Sequence, residues 1–133
     1  MNKSDLLTQP PNFLKILGNT SHSYNIKEGY LEMEFDLSDD FAHTFGTIIQ
    51  GGFITAMLDA SMGHIIMRAN DGKMNSATLS LNVNFLAPGR PGQFKAVGRI
   101  DKQGKNIAFT NSQLFQEEQL IATATASLKL MQL

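Results

Sequence analysis

Gln50-Gly51-Gly52-Phe53-Ile54-Thr55-Ala56-Met57-Leu58-Asp59 opens a long apolar helix and sets one carboxylate two turns inside it. A Gly-Gly start leaves bare backbone N–H groups where an oxygen can approach closely. A carboxylate in such a helix is poorly placed for stability, because burying one without a partner is costly. The pair suggests a site with an electrophilic end and a basic end. The pattern predicts a helix from Gly51 to about Ala69, closed by Arg68 in its last turn and by Asn70-Asp71-Gly72. At roughly 100° per residue, Ser61, His64 and Arg68 cluster on what reads as the wetter side. Asp59 falls opposite Arg68, near Gly52, Thr55, Met62, Gly63 and Ile66. Small residues on that stripe would admit another backbone, a partner helix or a substrate.

Outward from the helix, the pattern is mostly strand. Residues 3–17 predict a short, Pro-interrupted helix, with residues 1–20 as an N-terminal extension. A hairpin follows: 21–27, a turn at Lys27-Glu28-Gly29, then 30–37, where Leu31, Met33, Phe35 and Leu37 alternate with polar residues. Residues 38–50 read as loop. Beyond the helix, 75–87 alternates with Leu79, Leu81, Val83 and Phe85 on one face, and Ala87-Pro88-Gly89-Arg90-Pro91-Gly92 breaks the run. Strands at 93–101, 106–116 and 119–131 are separated by Lys102-Gln103-Gly104-Lys105 and by Glu117-Glu118. In the last strand Leu120, Ala122, Ala124, Ala126, Leu128 and Leu130 share a face, small enough for a helix to lie close. One helix this apolar cannot stay exposed. The economical solution is an α+β architecture, a curved antiparallel sheet wrapped around it, with residues 1–133 as one domain.

Composition narrows the function. The 133 residues carry a formal net charge of −1, so nothing argues for nucleic acid or an anionic membrane as partner. The absence of cysteine excludes disulfides, a Cys nucleophile and thiolate metal sites. The polar start Met1-Asn2-Lys3-Ser4-Asp5 leads into no long apolar run, and a cytoplasmic protein is the expectation. His22, His43 and His64 are scattered without metal spacing, so no metal and no cofactor is expected.

The ordered set Phe45-Gly46-Thr47, Gln50-Gly51-Gly52, Leu58-Asp59, Thr78 through Pro88 and Lys102-Gln103-Gly104-Lys105 resembles hotdog-fold acyl-CoA thioesterases of the phenylacetate-pathway (PaaI) type. The resemblance runs from about residue 30 to the C-terminus. It implies that Asp59 acts as general base on a water or attacks the thioester carbonyl itself. It implies that the Gly51 N–H polarises that carbonyl, in keeping with the helix dipole. It gives Gln50 the place of the family's His or Gln, and His43 or Thr44 that of a polar loop residue. Thr78 would orient the water or Asp59, from the neighbouring subunit. The segment Gly46 to Gln50 is one residue longer than the family's usual spacing, which leaves His43 and Thr44 as alternatives.

Hydrolysis of a thioester needs a positioned water, a base and an oxyanion hole. Gly52, Thr44, Thr55, Met62 and Phe85 are candidate acyl-binding residues, with Phe53 and Met57 beside them, and Arg90, Lys102 and Lys105 are candidates for the phosphates of CoA. Ordinary solvated cations are the competing reading of those three. The resemblance implies a homodimer or homotetramer with sites at the interface. The alternatives are a non-catalytic acyl-CoA or acyl-chain binding protein and, behind it, a hydratase or dehydratase, for which no His–acid pair is evident. An acyl-carrier-protein thioester, and aromatic or aliphatic acyl groups, all remain compatible with the sequence.

Overall fold

The structure, a computed structural model, describes residues 9–132. Helix α1 (Asn12–Ile16) leads into strands β1 (Asn19–Asn25) and β2 (Tyr30–Leu37). A 3-10 turn (Asp39–Phe41) and a two-stranded ribbon, β3 (Ala42–His43) with β4 (Ile48–Ile49), precede the long helix α2 (Gly51–Ala69). Strands β5 (Met74–Phe85), β6 (Gly92–Gln103), β7 (Ile107–Gln116) and β8 (Gln119–Gln132) complete the chain. The six long strands form one antiparallel sheet in the order β1-β2-β6-β7-β8-β5, which leaves β5 on an edge.

The antiparallel sheet around one helix is the expected architecture, and α2 has the predicted bounds. Its end is closed by Gly72, whose N–H reaches the Met67 carbonyl at 2.8 Å. The predicted N-terminal helix shrinks to α1, with Leu14 and Leu17 buried, because β1 claims the chain from Asn19. The part of that prediction on residues 3–8, Leu6 and Leu7 included, lies outside the described residues. The stretch 38–50 is also more ordered than a loop. It contains the β3–β4 ribbon, turned by Thr44, Phe45 and Gly46 at φ of 53°, 59° and 74°. Three consecutive left-handed residues, one of them β-branched, are not a turn that composition announces.

Ser61 corrects the expected wet face. It is fully buried, and its hydroxyl donates to the Leu58 carbonyl at 2.8 Å while pairing with the Ser112 hydroxyl of β7 at 2.6 Å. Directly beneath, Gly98 of β6 lies so close that a Cβ there would stand 2.5 Å from the Ser61 carbonyl oxygen. The helix therefore rests backbone to backbone on β6. The alanines of β8 do line the core as expected, at Ala122, Ala124 and Ala126.

Strand β5 departs from simple alternation in a way that shapes the site. It pairs Thr78 with Leu128 and then Ser80 with Ser127, so Leu79 is an extra residue, a β-bulge. Beyond the bulge Leu81 and Val83 pack on the core, as predicted. Before it the phase is reversed: Ser76 and Thr78 face the helix, and Leu79 is 57% exposed rather than inward.

Candidate active site

The bulge delivers the central contact. With its side chain turned inward, Thr78 donates its hydroxyl hydrogen bond to Asp59 Oδ1 at 2.7 Å. This pairing occurs within one chain, which corrects the expectation that Thr78 reaches Asp59 from a neighbouring subunit. Binding one carboxylate oxygen fixes the rotamer of Asp59 and leaves Oδ2 for another donor.

Asp59 and Thr78 line a cavity of about 970 Å³. Its floor is one stripe of α2: Ala56, Asp59, Ala60, Gly63, His64 and Met67. Its walls are Gln9–Phe13 and the β5 residues Asn75, Ser76 and Thr78. The two alanines and Gly63 keep that floor low; among the described residues, a Cβ on Gly63 would meet only Ser76 Oγ, at 3.8 Å. Of these residues Gly63 was legible from the wheel, while Phe13, Met67 and Ser76 gave no sign, because their meeting depends on where the N-terminal segment and the bulged strand settle.

The other candidates gather elsewhere. At the start of α2 the Gln50 side chain accepts from the Gly52 N–H at 2.7 Å and so caps the helix. The hydrogen bonds among the described residues leave the Gly51 N–H open. The Phe85 ring lies over Gly51, 3.4 Å from where a Cβ would stand. His43 and Thr44 sit exposed on the ribbon turn, His43 Nδ1 and Thr44 Oγ1 being 2.8 Å apart. Arg90 is exposed at this same end, reaching the Thr47 carbonyl at 3.4 Å.

Several other candidate residues lie away from this cavity. Met57 and Met62 are fully buried in the core, since their sides of α2 face the sheet rather than the cavity. Thr55 is half-buried and returns its hydroxyl to the Gly51 carbonyl at 2.9 Å, which satisfies it locally. Phe53 stacks edge-on against Phe41 at 4.7 Å. Lys102 and Lys105 lie beside the β6–β7 turn, where Gln103 bonds Asn70 at the far end of α2 from Gly51. Within one chain they are the length of the helix away from Arg90.

Gly51 and Asp59 themselves stand apart. Eight residues of α-helix separate them by about 12 Å along the axis. One chain thus presents two half-sites, a dipole-backed N–H end and a carboxylate in an apolar cavity.

Comparison with known proteins adds the chemistry. Residues 46–123 match the family model of the thioesterase superfamily. An esterase candidate of Thermoplasma volcanium is 29% identical over 74% of this chain and 72% of its own length. The medium/long-chain acyl-CoA thioesterase YigI of Escherichia coli is 30% identical, over 61% of each chain, so the match spans less than two thirds of that relative. A phenylacetic acid degradation-related protein from Ralstonia eutropha JMP134 superposes with a TM-score of 0.84 at 30% identity, covering 96% of this chain and 98% of its own.

Proposed function

The chain belongs to the thioesterase superfamily, a thioester hydrolase with the hotdog fold, and we propose that it hydrolyses acyl-CoA thioesters at sites assembled from two copies of itself. The observation that carries this reading is Asp59, held by Thr78 on the floor of a largely apolar cavity. In the proposed step Asp59 Oδ2 takes a proton from a water as its oxygen attacks the thioester carbonyl carbon. The carbonyl oxygen gains charge and is stabilised by the Gly51 N–H and the positive end of the α2 dipole. The C–S bond then breaks, and the CoA thiolate leaves to take up a proton. Direct attack by the Asp59 carboxylate, followed by hydrolysis of the anhydride, uses the same groups.

A carbonyl and a water span less than the 12 Å or so between the half-sites of one helix. A second copy resolves this by bringing its own Gly51 to the first copy's Asp59. The edge strand β5 is a natural seam for that pairing, with Leu79 and Phe85 exposed at 57% and 58%. Gln50 and the His43–Thr44 turn would then flank the carbonyl. Arg90 would lie near the thioester, with Lys102 and Lys105 offered to CoA phosphates from another copy. YigI's description as an acyl-CoA thioesterase supports the CoA ester as substrate.

The test uses two variants that break different halves. Asp59→Ala removes the base. Gly51→Pro removes one N–H at a first helical position, where proline is tolerated, after a Gln50 already extended at φ −62°, ψ 137°. Each should lose turnover on acyl-CoA by released thiol. Mixed and reassociated, they should regain about a quarter of wild-type activity, since half the dimers are hybrids with one intact site of two. No recovery in a verified hybrid would place both groups in one chain. No turnover by wild type on aromatic, short, medium or long acyl-CoA would point to a binding protein instead.

A further inference from the structure

The connection from β5 to β6 is pinned along its length. At its start the Leu86 and Ala87 N–H groups both donate to the Ile121 carbonyl of β8, at 2.8 and 3.2 Å. In its middle Gly89 is buried so closely that a Cβ there would stand 2.9 Å from the Phe94 ring and 3.0 Å from Ile54. At its end the half-buried Gln116 of β7 reaches across. Its Oε1 accepts from the Arg90 N–H at 2.9 Å, and its Nε2 donates to the Arg90 carbonyl at 2.8 Å and to the Gln93 carbonyl at 3.4 Å. The carboxamide thus does for Arg90 what a neighbouring strand would do, taking its N–H and serving its C=O.

The pinned loop in turn holds the entry to α2. The Gly89 carbonyl accepts from the Ile49 N–H at 2.8 Å, and the Arg90 guanidinium donates to the Thr47 carbonyl at 3.4 Å. Ile49 is buried and is followed directly by Gln50 and Gly51. We propose that Gln116 is a positioning residue for the Gly51 N–H. Through Arg90 and Gly89 it fixes where β4 hands the chain to α2, and so where that N–H meets the carbonyl oxygen. The inference rests on the reading of Gly51 as the oxyanion donor. A donor preset at the oxyanion's position stabilises the transition state, and a displaced one does so less well. The Gln50 N–H also bonds the Phe41 carbonyl at 3.0 Å, so the entry is held from two sides and losing one side displaces the donor without removing it. Gln116 does not line the Asp59 cavity, so its effect belongs to kcat through the N–H half of the site.

Two substitutions test this, each checked for wild-type circular dichroism. Gln116→Met keeps the volume and removes all three hydrogen bonds. Its kcat on the best acyl-CoA should fall about tenfold with KM within about twofold of wild type, short of the roughly hundredfold that loss of the donor itself would cost. Gln116→Glu carries its own rescue. Protonated, the new carboxyl has the acceptor and the donor of the amide; ionised, it sets a negative charge against the Arg90 and Gln93 carbonyls. Those carbonyls, with Glu34, Glu117 and Glu118 lining the same surface hollow, favour the protonated form against Lys95 alone. Its kcat relative to wild type should be near one at about pH 5 and drop to the Gln116→Met level by about pH 8, a titration that lost packing would not produce. Amide NMR of glycine-labelled protein reads the coupling without turnover. The Gly51 resonance, assigned by its loss in Gly51→Ala, should move in Gln116→Met and titrate in Gln116→Glu, while Gly29 at the β1–β2 turn stays. A wild-type kcat in Gln116→Met, a rise in KM alone, a Gln116→Glu ratio that ignores pH, or an unmoved Gly51 resonance overturns the assignment. A moved resonance with no turnover by wild type keeps the positioning role and removes the hydrolase. Turnover with an unmoved resonance does the opposite.

Discussion

Two faces of the same helix are built from small residues and do opposite things. At Ser61 the small side chain, set over Gly98, brings backbone against backbone, and the hydroxyl is tied to Ser112. At Ala56, Ala60 and Gly63 no described residue follows the small side chains in, and a cavity of about 970 Å³ remains. The first face spends its smallness on contact, the second on space. The difference lies in what stands opposite: a central strand on one side, an edge strand and a five-residue helix on the other.

The largest effect that would break this comparison is at Gly98. Gly98→Val should destabilise the fold by about 3 kcal/mol or more in urea unfolding, since its Cβ would stand 2.5 Å from the Ser61 carbonyl oxygen, which has no flexible side chain to give way. A loss below about 1 kcal/mol would mean that the contact face has slack. Next comes Ser112→Ala, which removes the hydroxyl paired with Ser61 and should cost about 1 kcal/mol in the same assay, with no change in acyl-CoA hydrolysis. Gly63→Ala should go the other way. Among the described residues the added methyl meets only Ser76 Oγ, and a helical glycine is replaced, so stability should rise by about 0.5–1 kcal/mol. Destabilisation there would show that the cavity face is packed.

The smallest effect is a pH dependence. Burial lowers the folded pKa of His64, and burial with Arg68 lowers that of His22. Between the folded values and the unfolded value of about 6.5 the unfolded chain binds more protons, so stability rises with pH. The melting temperature should be flat above about pH 7 and fall as pH drops below 6.5. His64→Phe should flatten that slope, and a slope unchanged by the substitution would assign it to other groups.

Much of this was legible in the residues. Helix α2 announced both ends through Gly51-Gly52 and Asn70-Asp71-Gly72, and β2 showed its period in Leu31, Met33, Phe35 and Leu37. Asp59 stood out because a carboxylate in an apolar helix needs a reason. What stayed hidden depended on partners. Ser61 looked wet on a wheel because a wheel does not know that Gly98 and Ser112 lie opposite. Met62 looked like pocket lining for the same reason. The facing of Thr78 could not be read from alternation at all, since strict alternation from Leu81 and Val83 turns it outward. Only the resemblance singled it out, and the bulge explains how it arrives.

That bulge at Leu79 is a phase boundary. On its far side Leu81 and Val83 answer to the core; on its near side Ser76 and Thr78 answer to the cavity. Because the two halves of the strand keep separate time, core residues can be exchanged without rotating Thr78. Straightening the strand with Leu79 still in it would instead merge them into one rhythm and set Thr78 and Leu81 on opposite faces, whereas deleting Leu79 would leave both facing inward in plain alternation. A strand of twelve residues thus presents Thr78 and Leu81 on one face although they stand three positions apart.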